Sequence, residues 1–206
     1  MTLPANVSQP RLQVAQIVPA TEAEGPGRRF ALWFQGCPLR CPGCCNPEML
    51  PFVGGAELSL DDIVSQMRNA KDRHALEGIT LLGGEPFAHA AHAAALAEAA
   101  HGLELSVLVF TGYRLEELRQ SSDKNVNLLL ERTDILVDGP YHRDEPETRR
   151  RWIGSANQRG HFLSERCDPN DSRWLMPNTL EIRLAEGLLT INGFPAKQAA
   201  GLWKRL

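Results

Sequence analysis

Long apolar runs are missing from this sequence: stretches such as Val107 to Phe110 stop after a few residues, far short of the roughly 20 that a bilayer-crossing helix needs. No membrane partner is therefore expected. The first residues, MTLPANVSQPRLQV, carry neither a basic start nor an apolar h-region, so a secretory signal is not expected and the reducing cytoplasm is the default setting. Charge of one sign is not in excess. With 22 Lys and Arg against 25 Asp and Glu the formal net charge is −3, which gives no general reason to expect nucleic acid. Internal repeats and low-complexity tracts are absent too. What remains is a chain of 206 residues, enough for one ordinary domain with a small appendage. A chain of this size buries roughly 70% of its unfolded surface and needs no metal merely to fold. A metal site here reads as chemistry first.

Cysteine usage points to such a site. There are five cysteines, an odd number, and four fall between Cys37 and Cys45. A secreted scaffold spreads its cysteines so that bridges tie distant segments together, whereas a tight cluster reads as metal binding or redox chemistry. The run GCPLRCPGCCN is C-x3-C-x2-C with one adjacent cysteine. Thiolates at Cys37, Cys41 and Cys44 can wrap three corners of a 4Fe–4S cubane, because thiolate is the ligand iron–sulfur chemistry prefers. A fourth iron without a protein ligand would leave a coordination position open for substrate or cofactor. Two closed alternatives stand beside this one. Cys45 or the distant Cys167 could supply a fourth thiolate and make the site structural zinc or an electron-transfer cluster. Cys45 is poorly placed because neighbouring side chains diverge, and Cys167 reads as a free thiol in a polar loop.

Along the chain, residues 1–10 read as a loosely ordered arm. Residues 11–19 and 29–36 read as strands separated by the Gly/Pro turn EGPGRR. Residues 59–74 read as a helix with Ser59 as N-cap and Ile63, Val64 and Met67 as its apolar stripe. GITLLGG (78–84) is a short buried strand, followed by an Ala-rich helix to about His101. A strand at 103–112, a helix at 115–122, a further helix at 125–132 and a strand at 134–139 complete the pattern. Strands alternating with helices predict an α/β fold with a mostly parallel sheet, and ligands in such sheets sit at the C-terminal strand ends. The cysteine loop, GGE and TGY all follow strands, which suits one shared site. Beyond Pro140 the Arg-rich stretch to Gly160 reads as loop. Residues 179–193 read as a β-hairpin turning at Glu186–Gly187, and Lys197–Leu206 as a short helix.

The segment EGPGRRFALWFQGCPLRCPGCCNPE resembles the opening of the radical S-adenosylmethionine (SAM) enzymes that activate glycyl-radical proteins, especially the anaerobic ribonucleotide reductase activating enzymes. TLLGGEPF, FTGYRLEEL, DILVDGPY and RWIGSANQR follow in the same order as in that family. The resemblance covers roughly residues 14–160. It implies a partial (β/α) barrel over residues 11–165, with residues 173–206 as a C-terminal hairpin and helix extension outside the family's compact form. By resemblance Cys37, Cys41 and Cys44 are the cluster ligands, and the open iron takes the methionine amine and carboxylate of SAM. Gly83, Gly84 and Glu85 look like the segment that receives SAM's amino group. Glycines permit close backbone approach and an acidic side chain complements an ammonium-like group, although a GG pair after a strand is also an ordinary tight turn.

Gly43 and Cys45 occupy positions whose backbone lies near SAM in the family, Cys45 replacing the aromatic residue usual there. Thr111 and Asp138 resemble positions bordering the ribose or the methionine carboxylate, with an N-cap or turn role as the alternative. Ser155, Asn157 and Gln158 could hydrogen-bond the nucleoside or simply shape their loop. Arg149, Arg150, Arg151 and Arg159 could meet SAM's carboxylate or a flavodoxin-like electron donor, but a charge run is more often a solvated face. His89, His92 and His101 do not converge on one metal and read as packing or surface residues. Trp33 and Phe34 read as core.

The function implied is reductive cleavage of SAM to a 5′-deoxyadenosyl radical that generates a glycyl radical on a partner protein. Two alternatives are a single-cluster radical SAM maturase of a peptide or small molecule, and a non-catalytic Fe–S or zinc module. No second cysteine cluster lies downstream, which argues against the multi-cluster maturases.

Overall fold

The computed structural model describes residues 11–185 and 187–193. The arm at 1–10, the hairpin turn residue Glu186 and the helix expected at 197–206 lie outside the described residues.

The strands are β1 (Arg11–Thr21), β2 (Arg29–Phe34), β3 (Ala56–Ser59), β4 (Gly78–Gly83), β5 (Ser106–Phe110), β6 (Ile135–Asp138), β7 (Arg159–Phe162), β8 (Leu180–Ala185) and β9 (Leu188–Gly193). The first seven form one sheet in the order β3-β1-β2-β4-β5-β6-β7, and β8 and β9 form a separate antiparallel hairpin. At the centre β2, β4, β5 and β6 run parallel. Towards the edges β1 and β3 on one side and β7 on the other run antiparallel. The pairings define a mixed α/β sheet with β3 and β7 as its edges.

The helices are α1 (Leu60–His74), α2 (Ala90–Gly102), α3 (Leu115–Arg119) and α4 (Lys124–Glu131). They lie on one face of the sheet, and the core there shows why. Phe30, Leu32 and Phe34 alternate along β2 and meet Ile79, Leu81, Val107, Val109 and Leu136 from neighbouring strands. Ile63 and Met67 of α1, the alanines of α2, and Leu129 of α4 close the same cluster. The small residues at Ala93, Ala97 and Ala100 leave α2 room to pack close to its neighbours, and all three are fully buried. The intervening strand positions point the other way: Ala31, Trp33 and Leu82 form a second cluster with Met49, and Leu108, Ile135 and Val137 a third with Ile153. Burial on both faces explains why β2 and β4 read as mostly apolar runs.

Local signals held where they were chemical. Ser59 caps α1 by accepting from the Asp62 N–H at 3.1 Å, while Asp62 accepts from the Ser59 N–H at 3.4 Å, a reciprocal cap that contributes about 1 kcal/mol. The Arg-rich stretch after Pro140 differs from its reading as loop, because it ends in β7. Arg159 and His161 lie opposite Asp138 and Leu136, so partner charge on the neighbouring strand, rather than apolar alternation, marks this strand. Among the described residues no helix is long and apolar enough to cross a membrane.

Candidate functional site

The cysteine loop leaves the C-terminal end of β2 and is closed at its base by backbone. The Gly36 N–H donates to Met49 O at 2.9 Å and the Cys37 N–H to Leu50 O at 3.0 Å. The Gln35 amide donates to Glu48 O at 3.0 Å and to Pro51 O at 2.8 Å. Beneath this base the His89 ring stacks on Phe34 at 5.3 Å and tilts against Phe52 at 5.8 Å, so His89 packs, as expected. Within the loop the Cys44 N–H donates to Cys41 O at 3.1 Å and the Asn46 N–H to the Cys44 Sγ at 3.4 Å. Cys37, Cys41, Cys44 and Cys45 all face one cavity of about 530 Å³, and all four are free thiols.

Gly83, Gly84, Glu85 and Thr111 line the same cavity. Gly83 sits at φ 74°, and a Cβ on Gly84 would collide with the backbone oxygens of Phe34 and Gly36. The two glycines therefore let the end of β4 lie directly against the base of the cysteine loop, where the Glu85 N–H donates to Gly36 O at 2.9 Å. The Glu85 side chain is 1% exposed and accepts from Phe87 N at 2.9 Å, Thr111 Oγ1 at 2.8 Å and Gly112 N at 2.9 Å. It braces the loops after β2, β4 and β5 to one another. Burial pushes its carboxyl up to about 7 against those three donors.

The other expected residues stand outside the lining. Asp138 accepts from Leu115 N at 2.7 Å and from Arg159 Nη2 at 2.7 Å, and lies 3.2 Å from His161 Nε2. It joins β6, β7 and the start of α3. Ser155 accepts from the His142 N–H at 3.1 Å, and Asn157 donates to Pro140 O at 2.7 Å. Gln158, by contrast, does line the cavity, with its amide donating to Gly139 O at 2.9 Å. Gly43 lies in the loop at φ 72°, under the guanidinium of Arg143.

The arginines are mostly held within the fold. Arg150 pairs with Glu147, Arg159 with Glu116 and Asp138, and Arg151 donates to Glu22 O at 3.2 Å and stands 4.3 Å over the Trp152 ring.

The thiols are the donor type an iron–sulfur cluster takes, although among the described residues no three His, Cys, Asp or Glu side chains already stand in metal-ligating positions. Thiols on one short loop face one cavity, and burial pushes the Cys37 and Cys44 thiols up, so they ionise when a cation binds them. Cys45 is hydrogen-bonded to the Tyr141 hydroxyl. Cys167 cannot contribute: it lines a different cavity with Glu77, Ser106 and Ile135, at the N-terminal ends of β4, β5 and β6, opposite the cysteine loop.

The family model described as a 4Fe-4S single cluster domain matches residues 23–161. The anaerobic ribonucleoside-triphosphate reductase-activating protein of Salmonella typhi is 32% identical over 155 residues, covering 72% of this chain and 97% of the relative. Its namesake in Escherichia coli K12 is 30% identical over 159 residues, with 72% and 97% covered. That of Enterobacteria phage T4 is 28% identical over 149 residues, with 70% and 90% covered.

The chain belongs to this family of radical SAM activating enzymes. It is an iron–sulfur oxidoreductase, as the five ordered motifs implied. The activating-enzyme cavity also holds residues that sequence reasoning passed over: Gln16, Glu24, Tyr141, Trp152 and Asn192. Trp33, read as core, also lines it. Glu24, Tyr141 and Trp152 lie in the quoted EGPGRR, DILVDGPY and RWIGSANQR segments, which mark the segments but not these side chains. Gln16 and Asn192 reach the cavity from β1 and β9, a proximity that no local pattern encodes.

Proposed function

We propose that the enzyme binds a 4Fe–4S cluster through Cys37, Cys41 and Cys44 and S-adenosylmethionine beside it, and generates a glycyl radical on a partner protein. The observation that carries this reading is the single cavity shared by the three thiols, Gly83–Glu85 and Thr111. When bound, the cluster would supply the electron that cleaves the sulfonium S–C5′ bond of SAM, giving the 5′-deoxyadenosyl radical that abstracts hydrogen from glycine.

The chain's own residues bind, orient and exclude water. Among the described residues no Lys or Arg lines the cavity, whereas Glu24, Glu48 and Glu85 do, so no side chain of the lining repels a cationic sulfonium. Gly83 and Gly84 give a ligand's amino group access to backbone, and Glu85 holds that backbone against the cysteine loop. Cys45, tied to Tyr141, leaves the fourth coordination position to the ligand. Relatives named as activating anaerobic ribonucleoside-triphosphate reductase support a protein substrate of that kind. The architecture that goes with this reading is a partial (β/α) barrel, whose lateral opening admits a protein loop. The cluster requires an external one-electron donor, a role a flavodoxin-like protein fills. Free thiols at all five cysteines suit the reducing cytoplasm.

The test is anaerobic reconstitution followed by reduction with SAM present. Formation of 5′-deoxyadenosine, and an EPR glycyl signal on adding a partner reductase, are expected. Tightly bound zinc with no 5′-deoxyadenosine would overturn the reading, as would four sulfur ligands on every iron.

A further inference from the structure

Two buried N–H donors that line the cavity have no acceptor. Among the described residues neither the Gln16 Nε2 nor the Trp152 Nε1 has a hydrogen-bond partner. Trp152 is only 2% exposed, and its backbone is held at φ 63°, a left-handed conformation that disfavours a bulky residue by about 1–2 kcal/mol. The Trp152 backbone N–H donates to Asn178 Oδ1 at 2.8 Å, and the Arg151 guanidinium lies over the indole. The surroundings hold this ring in place against a local preference.

A polar pair lines the same cavity. Glu24 and Asn192 are each 5% exposed, and the Asn192 amide donates to Thr21 Oγ1 at 2.9 Å and to Glu24 Oε1 at 3.3 Å. Asn192 comes from β9, so the hairpin forms part of the cavity wall. Its polar face turns inward: Glu181 accepts from the Glu22 N–H at 2.8 Å and Arg183 donates to Ala20 O at 2.7 Å. Neither Gln16 nor the hairpin falls within the residues that match the family model.

We infer that Gln16, Trp152, Glu24 and Asn192 form a subsite for an extended polypeptide backbone, closed on one side by the β8–β9 hairpin. The inference rests on the proposed protein substrate and names where that substrate binds. Two idle N–H donors and a carboxyl acceptor in one cavity match the alternating C=O and N–H groups of a peptide. With no Lys or Arg among its described lining residues, the cavity offers no cationic side chain to a phosphate. Placement sets Gln16 apart from the cysteine loop and from the Gly83–Glu85 and Thr111 segments, while Trp152 lies in the RWIGSANQR segment that also carries Gln158. The cysteine loop follows β2 and the Gly83–Glu85 and Thr111 segments follow β4 and β5, while Gln16 lies on β1, the opposite neighbour of β2. The hairpin thus adds to the common machinery a wall that reads which segment enters.

The test is a titration of the full chain, cluster-free and anaerobic, with N-acetyl-triglycine amide, following indole N–H resonances by NMR and assigning Trp152 by its loss in Trp152→Phe. A saturable shift of the Trp152 signal is expected. Trp152→Phe and Gln16→Ala, followed through Gly83 and Gly112 backbone amides, are each expected to weaken the peptide by about three- to tenfold, the worth of one hydrogen bond. Gln16→Ala is the variant least exposed to a folding defect, because Gln16 is only half-buried. A Trp152 shift with SAM but not with the peptide would reassign the subsite to the nucleoside and overturn the inference. No shift with either probe would do the same. These outcomes are independent of SAM cleavage: an enzyme that forms 5′-deoxyadenosine yet ignores the peptide refutes this inference alone, whereas one that forms none refutes the proposed function.

Discussion

Replacing Glu24 by glutamine tests how the hairpin side of the cavity is built. Burial pushes the Glu24 carboxyl from 4.5 up to about 7, against opposing hydrogen bonds from Asn192 and the Gly193 backbone. Between those two values the folded chain retains a proton that the unfolded chain has lost, so stability falls as pH rises through this window. Each pH unit of the interval is worth about 1.4 kcal/mol, so the full effect is about 3 kcal/mol, complete above about pH 7 and absent below about pH 4.5. Glutamine keeps an oxygen for the Asn192 amide and does not titrate. The difference in unfolding free energy, wild type minus Glu24→Gln, is therefore expected to fall by about 3 kcal/mol between pH 4.5 and 7.5. Urea unfolding of the anaerobic, cluster-free chain at several pH values measures it, and titrating groups not coupled to Glu24 cancel in the difference. Parallel pH profiles for the two proteins would refute the reasoning, because they would mean that the carboxyl ionises in the folded chain as it does in water.

Three further outcomes follow from the geometry. Gly84→Ala places a methyl group against the Phe34 and Gly36 carbonyls and should destabilise by about 1–3 kcal/mol, read by thermal unfolding, with a matching loss of iron on reconstitution. Arg29→Met removes a fully buried guanidinium that donates to Ile79 O at 2.6 Å, Thr80 Oγ1 at 2.8 Å and Ser106 O at 3.0 Å; the unpaired acceptors should cost about 2–4 kcal/mol, measured by denaturant midpoint. Replacing Cys37, Cys41 or Cys44 by alanine should abolish the iron–sulfur absorption band after reconstitution, while Cys167→Ala, at the opposite strand ends, should retain full iron content.

The parts of the fold legible in the sequence are those governed by short-range chemistry. Ser59 and Asp62 write the start of α1 in four residues. The double-faced burial of β2 and β4 shows as mostly apolar runs, broken in β4 by the buried Thr80, and the C-x3-C-x2-C spacing places three thiols on one loop without any tertiary knowledge. β3 and β7 were illegible for a physical reason: each is an edge strand of four residues, held by ladder hydrogen bonds and, in β7, by Arg159 and His161 against Asp138. Asp138 shows the same limit from the other side. Its position after a strand suggested a ligand role, but its contacts with α3 and β7 depend on residues more than twenty positions away. Glu24 and Asn192 meet across 168 positions of chain, which no periodicity or motif records.

Glu85 explains why the two halves of the site stay in register. A carboxylate that faced only solvent could turn towards any cation, but this one is held by donors from its own turn and from the loop after β5, while its backbone N–H reaches the carbonyl of Gly36, next to Cys37, the first of the proposed cluster ligands. Moving the GGE segment would therefore strain the cysteine loop and the Thr111 loop together. Preorganisation of this kind matters most where binding must fix a reactive ligand to within a fraction of an ångström. The opposite side of the cavity is built differently: β8 and β9 pair as strands only with each other, and the hairpin is held to residues 20–24 by hydrogen bonds through Glu181, Arg183 and Asn192. The wall braced by Glu85 and the wall built by the β8–β9 hairpin thus bound one cavity from two separate parts of the chain.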